Sequence, residues 1–355
     1  MTVNGFPFNS QIKLFENHLA QMRDLRPDAL IVASPGTVRL AKKIAPDIPL
    51  HLSTQANVLN TLDAEAYYDM GVKRIIAARE MSLKDLEAIK TALPDLELEI
   101  FVHGSMCFAY SGRCLVSSLQ TGRVANRGSC ANDCRFPYRV YVENEESGVL
   151  MRVDETEEGT YLFNAKDLNM IAHLEEIAKS GVIDSLKIEG RTKSAYYVAA
   201  VTRAYRMALS DLAAGTFDPA RYEAELMTTK HRGFTDGYLV KRPYEKESDQ
   251  KLDSSQSEGS HQVVAQVDAG GESFHALGRV DPGEPLEIVA PPEALLEPAA
   301  NELGGVSEEN GRFFVSLLRV ETVSGKVLSA VHSGNLNAIK LPTKLPQYTF
   351  LRKPI

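Results

Sequence analysis

Four cysteines are the residues whose type and spacing point most directly to chemistry. They are the only cysteines among 355 residues, and all lie within 28 residues with the spacing C-x6-C-x15-C-x3-C: Cys107, Cys114, Cys130 and Cys134. Four thiolates can complete a tetrahedral zinc site or hold a cubane iron–sulfur cluster. The crowding therefore predicts a metal site, because no thiol remains for another role.

Three kinds of site compete for these thiols. Two disulfides would require an oxidising compartment, and the first thirty residues contain no basic segment followed by an apolar one, as a secretory signal would. Structural zinc commonly uses C-x2-C pairs, which intervals of six and three residues replace here. Spacing alone leaves zinc and iron–sulfur equally supported, and disulfides are the weakest alternative.

An arginine-rich segment surrounds the cysteines, although the whole chain carries a formal net charge of −8. Its 27 residues include one acidic residue, Asp133. Its arginines are Arg113, Arg123, Arg127, Arg135 and Arg139. These side chains can simply cover the surface, or they can form a groove for phosphate. Because the total charge is negative, an anionic partner must be met by such a local patch.

The elements that would position these residues alternate between short β-branched runs and amphipathic stretches as far as about residue 215. Strands are predicted at residues 2–6, 29–34, 50–54, 73–78, 98–103, 161–164 and 185–189. Helices are predicted at residues 12–25, 38–44, 59–70, 83–93, 168–180 and 194–212. The alternation predicts a parallel sheet. Seven strands indicate either an open sheet or an eight-stranded (β/α) barrel that lacks one strand–helix unit.

The chain divides into two predicted domains. Residues 1–243 form the α/β domain, interrupted by a cysteine-rich insertion at 105–160 that contains a hairpin of 138–142 with 149–153. Residues 244–260 are mostly polar, which is typical of a linker. Strand patterns at 262–267, 273–277, 285–289, 313–320 and 337–341 predict a small β-barrel or sandwich over residues 261–355. No apolar run approaches the roughly 20 residues of a membrane span.

Polar residues close the predicted strands at their carboxyl ends, where parallel α/β folds place their sites. They are Gln55, Asn57, Arg79, Glu80, His103, Asn164, Lys166, Glu189, Arg191 and Lys193. Together they suit a small polyanionic ligand. His103 can serve as acid, base or hydrogen-bond donor near Cys107. His51 can equally be a core histidine, and Glu189 with Arg191 a structural ion pair.

Motifs of several common enzyme classes are absent from the sequence. It contains no G-x-x-x-x-G-K-[ST], no G-x-G-x-x-G after a strand, no H-E-x-x-H and no G-x-S-x-G. Cysteine protease chemistry would require an uncommitted thiol beside a base. Nucleotide-binding, zinc-protease and serine-hydrolase functions therefore lose support.

Two segments around the first cysteines resemble the signature of the U32 peptidase family, also called collagenase-like proteases. They are Glu99-Ile-Phe-Val-His-Gly-Ser-Met-Cys107 and Gly112-Arg-Cys-Leu-Val-Ser117. Similar blocks lie at residues 4–9, 29–36, 51–57, 79–82, 161–168, 185–194 and 231–237. Family members begin with an extra strand and helix. The resemblance thus implies an α/β, TIM-type (β/α) barrel lacking its first strand–helix unit, with an inserted Cys-rich cap and a small C-terminal all-β domain.

Two further segments resemble the tRNA hydroxylation branch of that family: Lys187-Ile-Glu-Gly-Arg-Thr-Lys193 and Lys230-His-Arg-Gly-Phe-Thr-Asp-Gly237. This resemblance implies a cytoplasmic tRNA uridine hydroxylase that forms 5-hydroxyuridine at wobble position 34. It also implies a 4Fe-4S cluster on the four cysteines and prephenate, or a similar small dicarboxylate, as co-substrate. The partners would be tRNA and an unidentified electron donor, without a membrane.

On this basis we assign catalytic roles to His103, Glu189 and Arg191. The assigned substrate contacts are His51, Gln55, Asn57, Arg79, Glu80, Lys166, Lys193, His231 and Arg232. Three alternative functions stay open at this point: a U32-type peptidase, a noncatalytic RNA-binding protein with a structural cluster, and hydroxylation of a quinone-type small molecule.

Overall fold

The computed structural model describes residues 1–107, 110–123, 130–136, 138, 140–146, 148–153, 165–240 and 257–355. The chain forms two compact units, Met1–Glu189 with His231–Ser257 and Gly190–Lys230 with Glu258–Ile355. Several predicted features lie outside the described residues: Arg127, Arg139, Asn164, the strand at 161–164 and most of the linker at 244–260. Within the described ranges, no helix is both long and apolar enough to cross a membrane.

The first unit is a mixed α/β structure, as predicted. Its helices are α1 (Ile12–Leu25), α2 (Pro35–Ile44), α3 (Thr61–Asp69), α4 (Leu83–Ala92), α5 (Val116–Thr121) and α6 (Leu174–Ser180). Its strands are β1 (Leu30–Val32), β2 (Leu50–Leu52), β3 (Val72–Ile76), β4 (Glu97–Ser105), β5 (Val140–Asn144), β6 (Val149–Val153), β7 (Asp167–Asn169), β8 (Ser185–Ile188) and β9 (Phe234–Thr235). The predicted hairpin is present as β5 paired with β6.

Parallel pairing dominates the sheet of this unit. Its order is β1-β2-β3-β4-β7-β9, and β8 also pairs with β4. Neighbours from β1 to β4 run parallel, as do β4 with β8 and β7 with β9, whereas β7 runs antiparallel to β4. The predicted parallel sheet is therefore confirmed among the described strands.

Two local predictions in this unit differ from the structure. The predicted strand at 2–6 is reduced to a single bridge between Thr2 and Ile31. Gly5 lies inside the predicted strand, and a glycine there weakens strand pairing. The predicted helix at 168–180 begins only at Leu174. The amide oxygen Oδ1 of Asn169 accepts a hydrogen bond from the Ile171 backbone N at 3.1 Å, and this local turn competes with helix formation.

Caps and apolar strand faces explain why these elements form. Ser34, Asn60 and Ser82 each precede a helix and accept a hydrogen bond from a backbone N–H of its first turn. On β4, Leu98, Ile100 and Val102 are buried on one face, while the residues between them are polar or aromatic. Since side chains alternate along a strand, the second face of β4 carries the chemistry.

The second unit combines two helices with an antiparallel sheet, which confirms the β-rich character predicted for the C-terminal region. The helices are α7 (Ala195–Ala214) and α8 (Pro219–Leu226). The strands are β10 (His261–Val267), β11 (Ser273–Ala276), β12 (Pro285–Val289), β13 (Ala299–Asn301), β14 (Gly304–Glu309), β15 (Arg312–Leu317), β16 (Val320–Glu321), β17 (Val327–Leu328), β18 (Ile339–Lys340) and β19 (Phe350–Pro354). Eight of them form one sheet in the order β13-β14-β15-β12-β19-β10-β11-β18.

Arg352 of β19 joins the helices of this unit to its sheet. The side chain is 1% exposed. Its guanidinium donates hydrogen bonds to the carboxylates of Glu225 on α8 and Glu287 on β12, and to the hydroxyls of Tyr196 and Thr228. A buried charge is tolerated only when it is paired and hydrogen-bonded, so this network fixes α7 and α8 against the sheet.

Candidate functional site

The cysteine-bearing loop after β4 is fixed to the carboxyl ends of two strands. Glu80, which follows β3, accepts hydrogen bonds from the backbone N and the Oγ of Ser111, at 2.8 and 3.0 Å. Gly112 lies against the Gln55 backbone, which follows β2, and a Cβ at Gly112 would stand 2.4 Å from the Gln55 carbonyl oxygen. Ser111 and Gly112, which lie between Cys107 and Cys114 in the chain, are therefore held at the carboxyl ends of β3 and β2.

The ends of β2 and β3 are also joined to each other. The Thr54 hydroxyl donates a hydrogen bond to the Ala77 carbonyl at 3.1 Å. Asn57 follows with a left-handed backbone, φ +56°. Its side-chain oxygen Oδ1 is buried and has no hydrogen-bond partner in the described part of the chain. Such a buried acceptor is available to a ligand or an ordered water molecule.

Arg79 lies between the cysteine loop and the polar face of β4. Its guanidinium carbon is 3.8 Å from the centroid of the Phe101 ring, and Nη1 is 4.0 Å from the Cys107 sulfur. Its Nε is buried without a hydrogen-bond partner among the described residues. The Nζ of Lys187 on β8 lies 5.5 Å from the same ring. Two cations therefore flank one aromatic ring at the site.

A charged network continues along this face of the sheet. The Glu99 carboxylate accepts hydrogen bonds from Lys187 Nζ at 2.8 Å, Ser185 Oγ at 3.0 Å and Arg74 Nη1 at 3.2 Å. Burial opposes ionisation of Glu99, but these donors outweigh it and hold its pKa below the ordinary value. Burial and the Arg74 charge lower the pKa of His51, which favours neutral imidazole.

Two histidines and an aromatic ring meet near the end of β4. His103 is 1% exposed, and its ring centroid lies 5.5 Å from that of Phe234 on β9. The His231 ring stacks on Phe234 at 4.3 Å, and its Nδ1 accepts a hydrogen bond from the Gly233 backbone N at 3.0 Å. Nδ1 of His231 therefore serves as a hydrogen-bond acceptor, and Nε2 is the ring nitrogen left to donate.

Short backbone contacts bring further predicted residues to the same end of the sheet. Gly104, with φ +133°, approaches Glu189 so closely that a Cβ would stand 2.6 Å from the Glu189 Cβ. The Asp167 carboxylate accepts a hydrogen bond from the Arg232 backbone N at 3.2 Å. The stem of Lys166 passes beside Gly233, 3.7 Å from the position of a Cβ there. These contacts position the main chain of the site.

None of the four cysteines forms a disulfide. Cys107 is exposed, and Cys114, Cys130 and Cys134 are half-buried. The segment that carries Cys130 and Cys134 packs on α5, since the Ala131 backbone N donates to Ser117 Oγ at 2.9 Å. In the described residues, no three Cys, His, Asp or Glu side chains are arranged to hold a metal ion. All four cysteines lie among these residues, so the structure does not gather three of their sulfurs into a metal site. The fit of a cluster therefore rests on the donor chemistry of four thiols and on the packing of their segments.

The structure thus distributes the predicted site residues between the two units. The first unit contains His51, Gln55, Asn57, Arg79, Glu80, His103, Lys166, Glu189, His231, Arg232 and the four cysteines. Arg191 and Lys193 belong to the second unit, where Arg191 is exposed and Lys193 Nζ lies 4.9 Å from the Tyr197 ring.

Sequence reasoning missed the network of Arg74, Glu99 and Lys187. A signal was present, because strands of a parallel sheet are usually continuous apolar runs. Glu99 interrupts such a run between Leu98 and Ile100, and Lys187 interrupts another between Leu186 and Ile188.

Comparisons with a family model and with individual proteins point to the same family. The family model described as Peptidase family U32 matches residues 1–249. The tRNA hydroxylation protein P of Helicobacter pylori (strain J99) is 54% identical over 355 residues, covering 100% of this chain and 84% of that protein. The protein of the same name in Escherichia coli K12 is 39% identical over 284 residues, covering 69% of this chain and 62% of that protein.

A more distant similarity involves ribosomal RNA. The 23S rRNA 5-hydroxycytidine C2501 synthase of Escherichia coli K12 is 33% identical over 251 residues, covering 68% of this chain and 36% of that protein. No solved structure matches the chain significantly.

Proposed function

The chain belongs to peptidase family U32, and from this membership we propose that it is a tRNA-modifying enzyme that hydroxylates uridine. One observation carries the proposal: the similarity to a tRNA hydroxylation protein P extends over every residue of the chain at 54% identity. The similarity to a 5-hydroxycytidine synthase supports hydroxylation of a pyrimidine ring at the same carbon. More specifically, we propose that the product is 5-hydroxyuridine at the wobble position of tRNA. This substrate would place the enzyme in the cytoplasm.

The four cysteines are the proposed ligands of a 4Fe-4S cluster. The supporting observations are that none of the four cysteines forms a disulfide and that their segments are attached, by Glu80 and Ser111 on one side and by Ser117 and Ala131 on the other. When bound, such a cluster would supply single-electron transfer. Glu80 and Ser111 act in this scheme by holding Cys107 and Cys114 at the sheet edge.

Arg79 is the proposed carboxylate-binding residue for prephenate or a similar small dicarboxylate. Its guanidinium is oriented by the Phe101 ring, and its buried Nε has no hydrogen-bond partner in the described part of the chain. A carboxylate can accept two parallel hydrogen bonds from such a group. The Asn57 Oδ1, which follows the neighbouring strand β2, offers an acceptor for a hydroxyl of the same ligand.

The remaining predicted residues have supporting roles in this proposal. His231, whose Nδ1 accepts a hydrogen bond, and buried His103 contact Phe234 and are suited to hold or move a proton at the end of β4. Glu189 adjoins that end, and Arg191 and Lys193 keep their predicted roles as a catalytic residue and a substrate contact. The mainly parallel sheet supports a (β/α) barrel as the form of the first unit.

Nucleoside mass spectrometry of tRNA tests the proposed function. A strain that lacks the gene is complemented with the wild-type chain, with Cys114→Ala or with Arg79→Ala. Arg39→Ala, an exposed arginine on α2, serves as the matched control. We expect the wild type and the control to restore 5-hydroxyuridine, and the two site variants to fail. Absence of 5-hydroxyuridine with the wild type would contradict the hydroxylase function, and degradation of gelatin by the purified chain would support the peptidase function that the family name implies.

A further inference from the structure

The surface around α5 differs in composition from an ordinary solvated helix. Leu115 is 66% exposed and Leu119 is 80% exposed, and they lie one turn apart on the side of α5 opposite buried Ser117. Tyr110 is 61% exposed just before this helix, and Phe136 is 50% exposed after the segment that packs on it. Large apolar and aromatic side chains exposed together are characteristic of an interaction site.

Hydrogen bonds connect the segments that carry these side chains. The backbone N of Arg113 donates to the Tyr110 carbonyl at 3.0 Å, which closes a turn directly before α5. Thr121 Oγ1 lies 3.4 Å from Asp133 Oδ2, and the Phe136 backbone N donates to the Asp133 carbonyl at 3.0 Å. Tyr110 therefore lies in a turn shortly before α5, and Phe136 follows a residue that contacts Thr121 of α5.

The charge of this surface is positive. Arg113 and Arg123 are exposed at the two ends of α5. Asp133, the only acidic residue between positions 110 and 136, is 1% exposed. A chain with a net charge of −8 thus presents cations and aromatic rings without an exposed carboxylate in this segment.

We propose that this surface binds unpaired nucleotides of RNA, with bases on the aromatic rings and phosphates on the arginines. We call it the α5 face, and it comprises Tyr110, Arg113, Leu115, Leu119, Arg123 and Phe136. Base stacking on exposed aromatic rings and a cationic track for the backbone are the two components of single-strand recognition. The inference rests on the proposed function, which supplies an RNA substrate, and it adds the surface that receives the loop.

The test measures binding of the full-length, anaerobically purified chain to two RNA probes by fluorescence anisotropy. One probe is an anticodon stem-loop with uridine at the wobble position, and the other is a fully paired duplex of the same length. The variants are Tyr110→Ala with Phe136→Ala, and Arg113→Glu with Arg123→Glu. Arg39→Glu on α2 and Leu62→Ala, 76% exposed on α3, are the matched controls. All altered side chains are exposed, and thermal melting verifies that each variant folds.

We expect the aromatic double variant to bind the stem-loop at least tenfold more weakly while its affinity for the duplex changes little. The arginine double variant weakens binding of both probes and lowers the slope of log affinity against log salt by about 1.4, or roughly 0.7 per lost phosphate contact. The controls keep wild-type affinity and slope. Wild-type stem-loop affinity in both double variants would overturn the inference, as would equal losses in the controls.

Failure of this inference is distinguishable from failure of the proposed function. One outcome is that cells with the wild-type chain contain 5-hydroxyuridine while both double variants bind the stem-loop normally. In that case RNA binding by the α5 face is rejected and the hydroxylase function is retained. If the wild type restores no 5-hydroxyuridine but the double variants lose stem-loop binding as described, RNA binding by the α5 face is supported and the hydroxylase function is rejected.

Discussion

The carboxylate of Glu80 accepts two hydrogen bonds from Ser111, one from the backbone N at 2.8 Å and one from Oγ at 3.0 Å. Ser111 is 2% exposed and lies between Cys107 and Cys114 in the chain. A carboxylate at the end of a sheet strand therefore fixes the loop that carries two of the four thiols. This contact connects the chemistry of the loop to the fold.

Replacement of Glu80 should loosen that loop. We expect Glu80→Ala to lower the iron and acid-labile sulfide content of the anaerobically purified chain at least twofold, because the Ser111 donors lose their acceptor. Glu80→Gln keeps an acceptor oxygen and should retain an intermediate content. Glu87→Ala, an exposed glutamate on α4, is the control. Wild-type iron content in Glu80→Ala would show that the contact does not position the thiols.

Gly112 and Gly122 form a matched pair for testing the second attachment of the loop. Both have a left-handed backbone, with φ +75° and +70°, but a Cβ meets the Gln55 backbone at Gly112 and open space at Gly122. Gly122→Ala should lower the free energy of unfolding by about 1 kcal/mol, the strain of its backbone alone.

Gly112→Ala adds a steric collision to that strain, so we expect it to destabilise the chain further, by about 2 kcal/mol or more beyond Gly122→Ala. Urea unfolding followed by circular dichroism measures both values. Equal losses in the two variants would mean that the loop can leave Gln55 without consequence.

Features set by residues close together in the chain could be predicted from the sequence, whereas contacts between residues distant in the chain could not. The cysteine pattern, the α/β alternation and the strand-end residues follow from local spacing, and the structure places Arg79, Glu80 and His103 at one end of one sheet. The partner of Glu80 could not be foreseen, because Ser111 is 31 residues away. The short pairing of β9 with β7 was equally hidden, since Phe234 and Asp167 meet only through the folded sheet.

Removal of Arg352 should be the most destabilising single change in the second unit. Arg352→Met leaves the buried carboxylates of Glu225 and Glu287 without their shared partner, and we expect the free energy of unfolding to fall by about 3–5 kcal/mol. Arg279→Met, which removes an exposed pair with Asp281, should have no measurable effect. Chemical denaturation compares the two variants with the wild type. Equal stability of all three chains would contradict a structural role for the network.

Acidification should lower the stability that the network of Arg352, Glu225 and Glu287 provides. Burial opposes ionisation of Glu225, but the hydrogen bonds and charge of Arg352 outweigh it and lower the pKa of Glu225 below its ordinary value of 4.5. The unfolded chain therefore takes up this proton first as the pH falls. The stability that Glu225 contributes is fully present above pH 4.5 and is lost as the pH falls through the lower pKa of the folded chain.

Unfolding measured between pH 7 and pH 3 checks this expectation. The wild type should lose stability below about pH 4.5, and Arg352→Met should lose less over the same interval, because Glu225 then lacks the charge that lowers its pKa. A wild-type profile that rises on acidification would contradict the sign of the effect.

The account depends on the four thiols sharing one inorganic centre. The most direct measurement is the iron, zinc and acid-labile sulfide content of the full-length chain purified without oxygen, beside a variant with Cys114→Ala. The account predicts about four iron and four sulfide per wild-type chain, a marked loss of both in the variant, and little zinc. Wild-type protein with neither iron nor sulfide, or with one zinc ion in their place, would contradict it.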